Sequence, residues 1–243
     1  MQSSSINRRK FLQLSGITGT GLLLGLTKTG LAGQAVSLFE NVDTSYSFTP
    51  YVHIDKSGQI TIFNTKPEIG QGTHQSIPSL IAEELEVSLD QVVIRQTGGE
   101  KIYGGGQSVG GSYSVRGSYK EMRTVGAAAR EMLVKTASDN WGVPAEECYA
   151  DQGKIFHRPS GKSFTYGELA EKASALPVPR EPKLKDPKDF KLLGKPTMRP
   201  DVPLKSSGRA RFGIDAEMPG MVYASVERSP VFGGKLVSID DSA

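Results

Sequence analysis

Two glycine-flanked segments hold the residues best suited to bind something. They are Gly70-Gln71-Gly72, within K-P-E-I-G-Q-G at 66–72, and Gly111-Ser112-Tyr113-Ser114, within G-G-G-Q-S-V-G-G-S-Y-S-V-R-G at 104–117. Each leads into a predicted helix and so presents backbone N–H groups where anions and polarised acceptors are favoured. A glutamine amide offers donors and an acceptor without committing a charge, and serine hydroxyls rotate to fit. The combination suits an anionic, hydrogen-bond-hungry ligand better than a hydrophobic one. Glycine content taken alone is also that of surface turns.

Familiar nucleotide and catalytic signatures do not account for these loops. Gly104-Gly105-Gly106 followed by Gly110 is one residue out from the dinucleotide fingerprint, and no acidic residue is suitably placed on a following strand. No G-K-S/T follows the glycines, as a P-loop requires. H-E-x-x-H is absent, the three histidines are scattered, and nothing resembles a nucleophile elbow. Cys148 is the only cysteine, so this chain cannot itself hold a disulfide, an iron–sulfur site or a zinc ribbon. A redox centre must be a bound cofactor held by other groups, or sit on a partner chain. Cys148 itself reads as a small buried hydrophobe.

The elements that must position the loops follow from hydrophobic periodicity. Tyr51 to Asn64 alternates as a β-hairpin, with Val52, Ile54, Ile60 and Ile62 on one face and a turn at Lys56-Ser57-Gly58. His53 falls on the other face, as a solvent-facing residue rather than a metal ligand. From His74 the period changes: Ile77, Leu80, Ile81 and Leu85 make one helical stripe, with Pro78 near the helix start. Glu83 and Glu84 read as the polar face of that helix. Gln91 to Gln96 reads as a buried strand. Ser118 to Glu121 has the capping-box pattern of a second helix running to about Asn140 and stopped by Gly142. Gly126 and Ala127 to Ala129 give that helix a face able to approach another backbone closely. Lys154 to His157 predicts a strand, Pro159-Ser160-Gly161 a turn, and Thr165 to Glu168 a second capping box before a short helix. Prolines among lysines and acids at 177–191 predict a stiff extended connector. Met221 to Glu227 and Lys235 to Asp240 read as strands, and the chain reads as truncated after them. The pattern is α+β with a mixed or antiparallel sheet.

The N-terminus reads as a targeting segment. Asn7-Arg8-Arg9-Lys10-Phe11-Leu12, a short apolar stretch and then small residues resemble a twin-arginine export signal over 1–35. Those 35 residues hold four basic side chains and no acidic one, so removing them from a net +3 leaves −1. The basicity therefore comes from targeting and gives no reason to expect nucleic acid. A transmembrane anchor is the alternative, weakened by four glycines in the apolar stretch.

Taken in order, the strand, E-I-G-Q-G-T-H loop, A-E-E-L helix, V-V-I-R-Q strand, G-G-S-Y-S loop and long helix of Ile60 to Ala137 resemble a molybdopterin-binding domain of the xanthine dehydrogenase and aldehyde oxidase family. After the connector, Leu193 to Pro196, Ser207 to Ala210, Asp215 and Tyr223 to Asp240 resemble the start of that family's α/β hammerhead domain. Behind a twin-arginine signal, this order looks like the isoquinoline 1-oxidoreductase type. The resemblance divides the chain into a signal (1–35), a molybdopterin-binding-like domain (36–176), a linker (177–191) and a truncated hammerhead (192–243). It implies a molybdenum–molybdopterin cofactor, with the cytosine dinucleotide form expected. The contacts implied are Gly70, Gln71 and Gly72, Gln71 facing the metal, then Gly111, Ser112, Tyr113 and Ser114 facing the pterin. No protein ligand to the metal is expected.

The implied reaction is water-dependent hydroxylation of an N-heterocycle or an aldehyde. Electrons would leave through a small 2Fe-2S subunit, with a cytochrome as candidate acceptor, in the periplasm or at the membrane. The family's catalytic glutamate lies beyond Ala243, so this chain alone is expected to be inactive. Phe232-Gly233-Gly234-Lys235 resembles a family loop over the metal but reads here as a turn. An exported, non-catalytic module for a small anionic ligand is the competing reading.

Overall fold

The computed structural model describes residues 45–240, in two units that meet in sequence at Pro200 and Asp201. The N-terminal segment that reads as an export signal lies outside the described residues.

In the first unit, β1 (Ser45–Thr49), β2 (Val52–Asp55), β3 (Ile60–Asn64) and β4 (Val92–Gln96) form one sheet in that order. The β2–β3 hairpin pairs Val52 with Ile62 and Ile54 with Ile60, as the alternation predicts. A register shift between Ser47 and Thr49 sets Phe48 into the core, so a strand precedes the hairpin that the alternation predicts. Strands β3 and β4 run parallel, joined through α1 (Thr73–Glu84), which makes the sheet mixed. The expectation that Gln91 to Gln96 is buried is not met. Strand β4 is an edge of the sheet, and Val93 and Arg95 are exposed because only the face of Val92 and Ile94 packs inward.

Helix α1 buries Ile77, Leu80, Ile81 and Leu85 as its periodicity requires. Pro78 sits well inside it rather than at its start, and the hydroxyls of Ser76 and Ser79 bond back to the carbonyls of Gly72 and Gln75. Helix α2 (Ser114–Trp141) lies across α1. Gly126 makes that crossing close, since a Cβ there would stand 2.3 Å from the Ile81 carbonyl oxygen. Gly142, at φ 67°, ends the helix. The capping box expected at Ser118 does not form, because α2 begins four residues earlier and Ser118 is buried inside it.

Strands β5 (Cys148–Asp151), β6 (Lys154–His157) and β7 (Ser163–Thr165) make a small antiparallel sheet. Helix α3 (Tyr166–Ser174) follows with both halves of the Thr165–Glu168 capping box in place. The Tyr166 hydroxyl donates to the Leu85 carbonyl at 2.7 Å, locking α3 to the end of α1. The α+β class with a mixed sheet is as the sequence predicts.

Glu83 and Glu84 overturn their sequence reading, since both are buried. The Glu83 carboxylate accepts the N–H groups of Lys191, Leu192 and Leu193 and pairs with the Lys185 ammonium. Glu84 accepts Lys185 N–H and pairs with Arg123 and Arg130. Arg123 and Arg130 in turn donate to the carbonyls of Lys185 and Lys183. The proline-rich connector is therefore a strap from Pro182 onward, docked on α1 and α2. Its prolines leave its peptide groups few partners of their own, and the two carboxylates and two guanidiniums supply them.

The second unit holds α4 (Val202–Ser206) and a turn from Val231 to Gly234 that includes Phe232 and Gly233, as its sequence predicts. The strands expected at 221–227 and 235–240 do not form. A strand needs a neighbour to satisfy its N–H and C=O groups, and among the described residues none pairs with either segment. Val222, Tyr223, Val237 and Ile239 stand exposed.

Candidate functional site

The first glycine loop is organised from within by Glu68. Its Oε1 accepts the N–H groups of Gly70 (2.7 Å) and Gly72 (3.1 Å), and its Oε2 accepts that of His74 (2.9 Å). Gly70 and Gly72 have φ of 103° and 92°, a backbone only glycine adopts without strain, and this lets the chain wrap around one carboxylate. Arg199 closes the loop, donating to the Gly70 carbonyl at 3.2 Å and to Glu68 at 3.3 Å. Burial alone raises the Glu68 pKa, but the N–H groups of His74, Gly72 and Gly70, with Arg199, outweigh it and leave it below the ordinary value. The N–H groups expected to face a ligand here are thus already taken by a side chain of the same loop.

What this loop turns outward is Gln71. Its Nε2 donates to the Pro67 carbonyl at 2.8 Å and to Thr73 Oγ1 at 3.3 Å, and its Oε1 accepts Ile69 N–H at 2.7 Å. The amide is held in one orientation and keeps one acceptor lone pair free for a ligand.

The second loop is open where the first is closed. Gly111 and Ser112 both have left-handed backbones, φ 57° and 53°, which swing the chain into α2. No side chain caps α2 and no acidic residue stands in its first turn. The N–H groups of Ser114, Val115 and Arg116 therefore have no acceptor within the helix. Tyr113 packs under the Arg116 guanidinium at 4.9 Å and against Gly117, where any Cβ would strike its ring. Gln107 pins the loop by donating to the carbonyls of Glu100 (2.8 Å) and Gly104 (3.1 Å). The Lys66 ammonium donates to the Gly106 carbonyl and so ties the two loops together.

Between the loops lies a cleft of about 390 Å³. Gln71 and Thr73 form one wall and Gly111, Ser112 and Ser114 the other, with no Asp or Glu among the lining residues. An adjoining cavity of about 430 Å³ is lined by Lys66, Tyr113, Ser114 and Glu121. Of the residues singled out from sequence, Gln71, Gly111, Ser112 and Ser114 share the cleft and Tyr113 lines its neighbour. Gly70 and Gly72 shape the loop behind it. Sequence reasoning missed Glu68, Thr73, Lys66 and Arg199. A carboxylate four residues before a glycine N-cap was a usable signal for Glu68; Arg199, 131 residues away, left none.

The remaining histidines and the cysteine serve the scaffold. His53 stands edge-on to Phe63 at 4.9 Å, partly covered rather than fully solvent-facing. Burial, with Arg95 nearby, lowers its pKa. His157 bridges Glu147 (2.9 Å) and Ser160 (2.7 Å) at the β6–β7 turn. Cys148 is buried, and burial raises its pKa.

A model of the molybdopterin cofactor-binding domain family matches residues 7–208. Among curated relatives, the beta subunit of isoquinoline 1-oxidoreductase from Brevundimonas diminuta is 31% identical over 98% of this chain and 35% of its own length. A membrane-bound aldehyde dehydrogenase, named as a pyrroloquinoline-quinone enzyme, from Gluconacetobacter polyoxogenes is 28% identical over 99% of this chain and 32% of its own. The chain thus spans about a third of these relatives. A solved structure, quinoline 2-oxidoreductase from Pseudomonas putida 86, overlays 52% of this chain and 16% of its own with a TM-score of 0.41 and 21% identity.

Proposed function

Because the chain belongs to the molybdopterin cofactor-binding domain family, we propose that the cleft between its two glycine loops holds part of a molybdopterin cofactor in an oxidoreductase subunit. The observation that carries this reading is the donor set. Ser112, Ser114 and Val115, at the uncapped start of α2, stand with the fixed Gln71 amide around a cleft that no carboxylate lines. Such a cleft fits an anionic, acceptor-rich group and would repel a cation.

In this reading Ser112, Ser114 and the first turn of α2 hold the pterin side, and Gln71 presents its amide to the metal side. Tyr113, Lys66 and Gly117 keep the second loop in place. Glu68 and Arg199 keep Gln71 at its station; neither is the base of the reaction. When bound, the molybdenum cofactor supplies two-electron oxidation of a carbon centre with oxygen from water. The substrate class is an N-heterocycle or an aldehyde, in line with the names of the relatives. The cytosine dinucleotide form of the cofactor, a small 2Fe-2S partner subunit and a cytochrome acceptor complete the reading. So do export by the twin-arginine route and a hammerhead domain opening at 192–243.

The test is to express the reading frame that contains this chain and measure molybdenum by mass spectrometry and pterin by fluorescence of its oxidised form. Stoichiometric molybdenum that falls in a Ser112→Ala, Ser114→Ala double variant with unchanged thermal stability supports the reading. A folded protein free of molybdenum and pterin sinks it and favours a non-catalytic module for a small anionic ligand.

A further inference from the structure

The bridge that His157 makes at the β6–β7 turn also brings a nucleophile, a base and a carboxylate into one line. Cys148 and His157 pair across β5 and β6, which sets Glu147 beside the imidazole. Glu147 Oε2 lies 2.9 Å from His157 Nε2, and Ser160 Oγ lies 2.7 Å from His157 Nδ1. A carboxylate only accepts, so the ring proton sits on Nε2 and Nδ1 is left as an acceptor. The Lys162 N–H also reaches Ser160 Oγ, at 3.4 Å. An N–H only donates, so the hydroxyl proton stays directed at the ring. The frame behind these groups is fixed. Gly161, at φ 68°, turns the chain and donates its N–H to the His157 carbonyl at 2.9 Å. The Trp141 ring stands 5.9 Å from the imidazole and stacks on Phe164 at 4.8 Å. The base is buried, whereas Ser160 meets solvent.

We propose that Ser160, His157 and Glu147 form a reactive-serine centre that takes acyl groups from small activated esters. None of the three lines the cleft between the glycine loops, so this activity is separate from the oxidoreductase reading. Ser160 Oγ attacks the ester carbonyl carbon, and its proton passes to His157 Nδ1. The ester C–O bond then breaks, the leaving oxygen takes that proton as an alcohol, and the acyl group stays on Ser160. Water attacking by the same path releases it as a carboxylic acid. Among the described residues the Ser160 N–H has no acceptor, which leaves it free for the oxygen that gains charge. Glu147 is a positioning residue: it keeps the ring proton on Nε2 and offsets the charge the ring gains. Serine hydrolases place the carboxylate on Nδ1 and the serine on Nε2; here the ring is reversed and the proton path is the same.

The experiment is incubation of the full chain with p-nitrophenyl acetate, followed by mass spectrometry of the peptide that carries Ser160. Wild type should acquire one acetyl group there, removed by neutral hydroxylamine as an ester is and a lysine amide is not. Urea-unfolded chain should acquire none. Ser160→Ala should lose the labile group, and Ser163→Ala, at a neighbouring exposed serine, should keep it. Glu147→Gln keeps the size of the side chain and should acetylate Ser160 more slowly by on the order of a hundredfold. Ring nitrogen-15 spectra should place the His157 proton on Nε2 in wild type and lose that preference in Glu147→Gln, a change that a merely structural contact would not link to the rate. The proposal is overturned if folded wild type carries no hydroxylamine-labile acetyl on Ser160, if Ser163 is acetylated as fast, or if Glu147→Gln acetylates Ser160 at the wild-type rate.

Discussion

Glu83 reaches 110 residues along the chain to accept the backbone N–H of Leu193 at 2.9 Å. The same carboxylate holds Lys191, Leu192 and the Lys185 ammonium, so one side chain on α1 anchors the strap between Lys185 and Leu193. Truncating it leaves three peptide N–H groups without an acceptor and leaves the Lys185 ammonium with Glu86 as its carboxylate partner. Glu83→Ala should therefore cost about 3 kcal/mol of stability. It should also expose the strap to trypsin at Lys183, Lys185, Lys188 and Lys191. Asp189→Ala, on the same strap but exposed, should change stability by less than about 0.5 kcal/mol. Urea unfolding and timed proteolysis of the two variants check both expectations; equal cleavage rates would remove the clamp.

Acid should loosen the strap by the same route. Burial raises the Glu83 pKa, but the Lys185 ammonium and the N–H groups of Leu193, Leu192 and Lys191 prevail, so it lies below the ordinary 4.5. A depressed carboxylate contributes stability that is complete above the unfolded value and lost as pH falls through the folded one. The stability gap between wild type and Glu83→Gln should hold from neutral pH down to about pH 5 and shrink below it. Urea midpoints taken stepwise from pH 7 to pH 3 measure that gap, and a gap independent of pH would contradict the assignment.

Periodicity made the β2–β3 hairpin, both long helices and the α3 capping box legible, because each is determined by neighbours a few residues away. The two glycine loops were legible as the segments leading into α1 and α2 for the same reason. Glu83 and Glu84 were not: an acidic pair flanking an apolar stripe reads as a solvated face, and its partners lie 39 to 110 residues on. Strand β1 was hidden by polar residues around Phe48, whose burial depends on a bulge. The Gly70 and Gly72 amides were expected to serve a ligand because sequence does not show that Glu68 folds back onto them. Segments 221–227 and 235–240 carry strand-like sequence, but a strand is defined by its partner and not by its own residues.

The α1–α2 crossing offers a sharp contrast between two glycines. At Gly126 a Cβ would stand 2.3 Å from the Ile81 oxygen and 2.9 Å from Glu84 Cβ, so Gly126→Ala must separate the helices or bend one. A loss of about 2 kcal/mol is expected from overpacking of this kind. At Gly105 a Cβ would meet nothing within 4 Å. Gly105→Ala should therefore be neutral or slightly stabilising through the unfolded chain. Thermal melts of the two single variants decide the matter, and equal melting temperatures would mean the helices do not cross as closely as described.

Glu68 provides the test of how the first loop works. If its carboxylate is what shapes the Gln71 loop, Glu68→Gln keeps the size but loses one acceptor oxygen and the pairing with Arg199. The amides of Gly70, Gly72 and His74 should then exchange with solvent faster, by on the order of tenfold for a local loss of about 1.4 kcal/mol, while core amides such as that of Ile81 keep their rates. Arg199→Gln should produce the same pattern more weakly, since only the outer contact is removed. Molybdenum content of the same variants separates positioning from contact. A loop residue that acts by holding Gln71 should lower loading in proportion to the exchange it permits. Unchanged exchange at Gly70 and Gly72 in Glu68→Gln would mean that the glycine backbone holds the loop without the carboxylate.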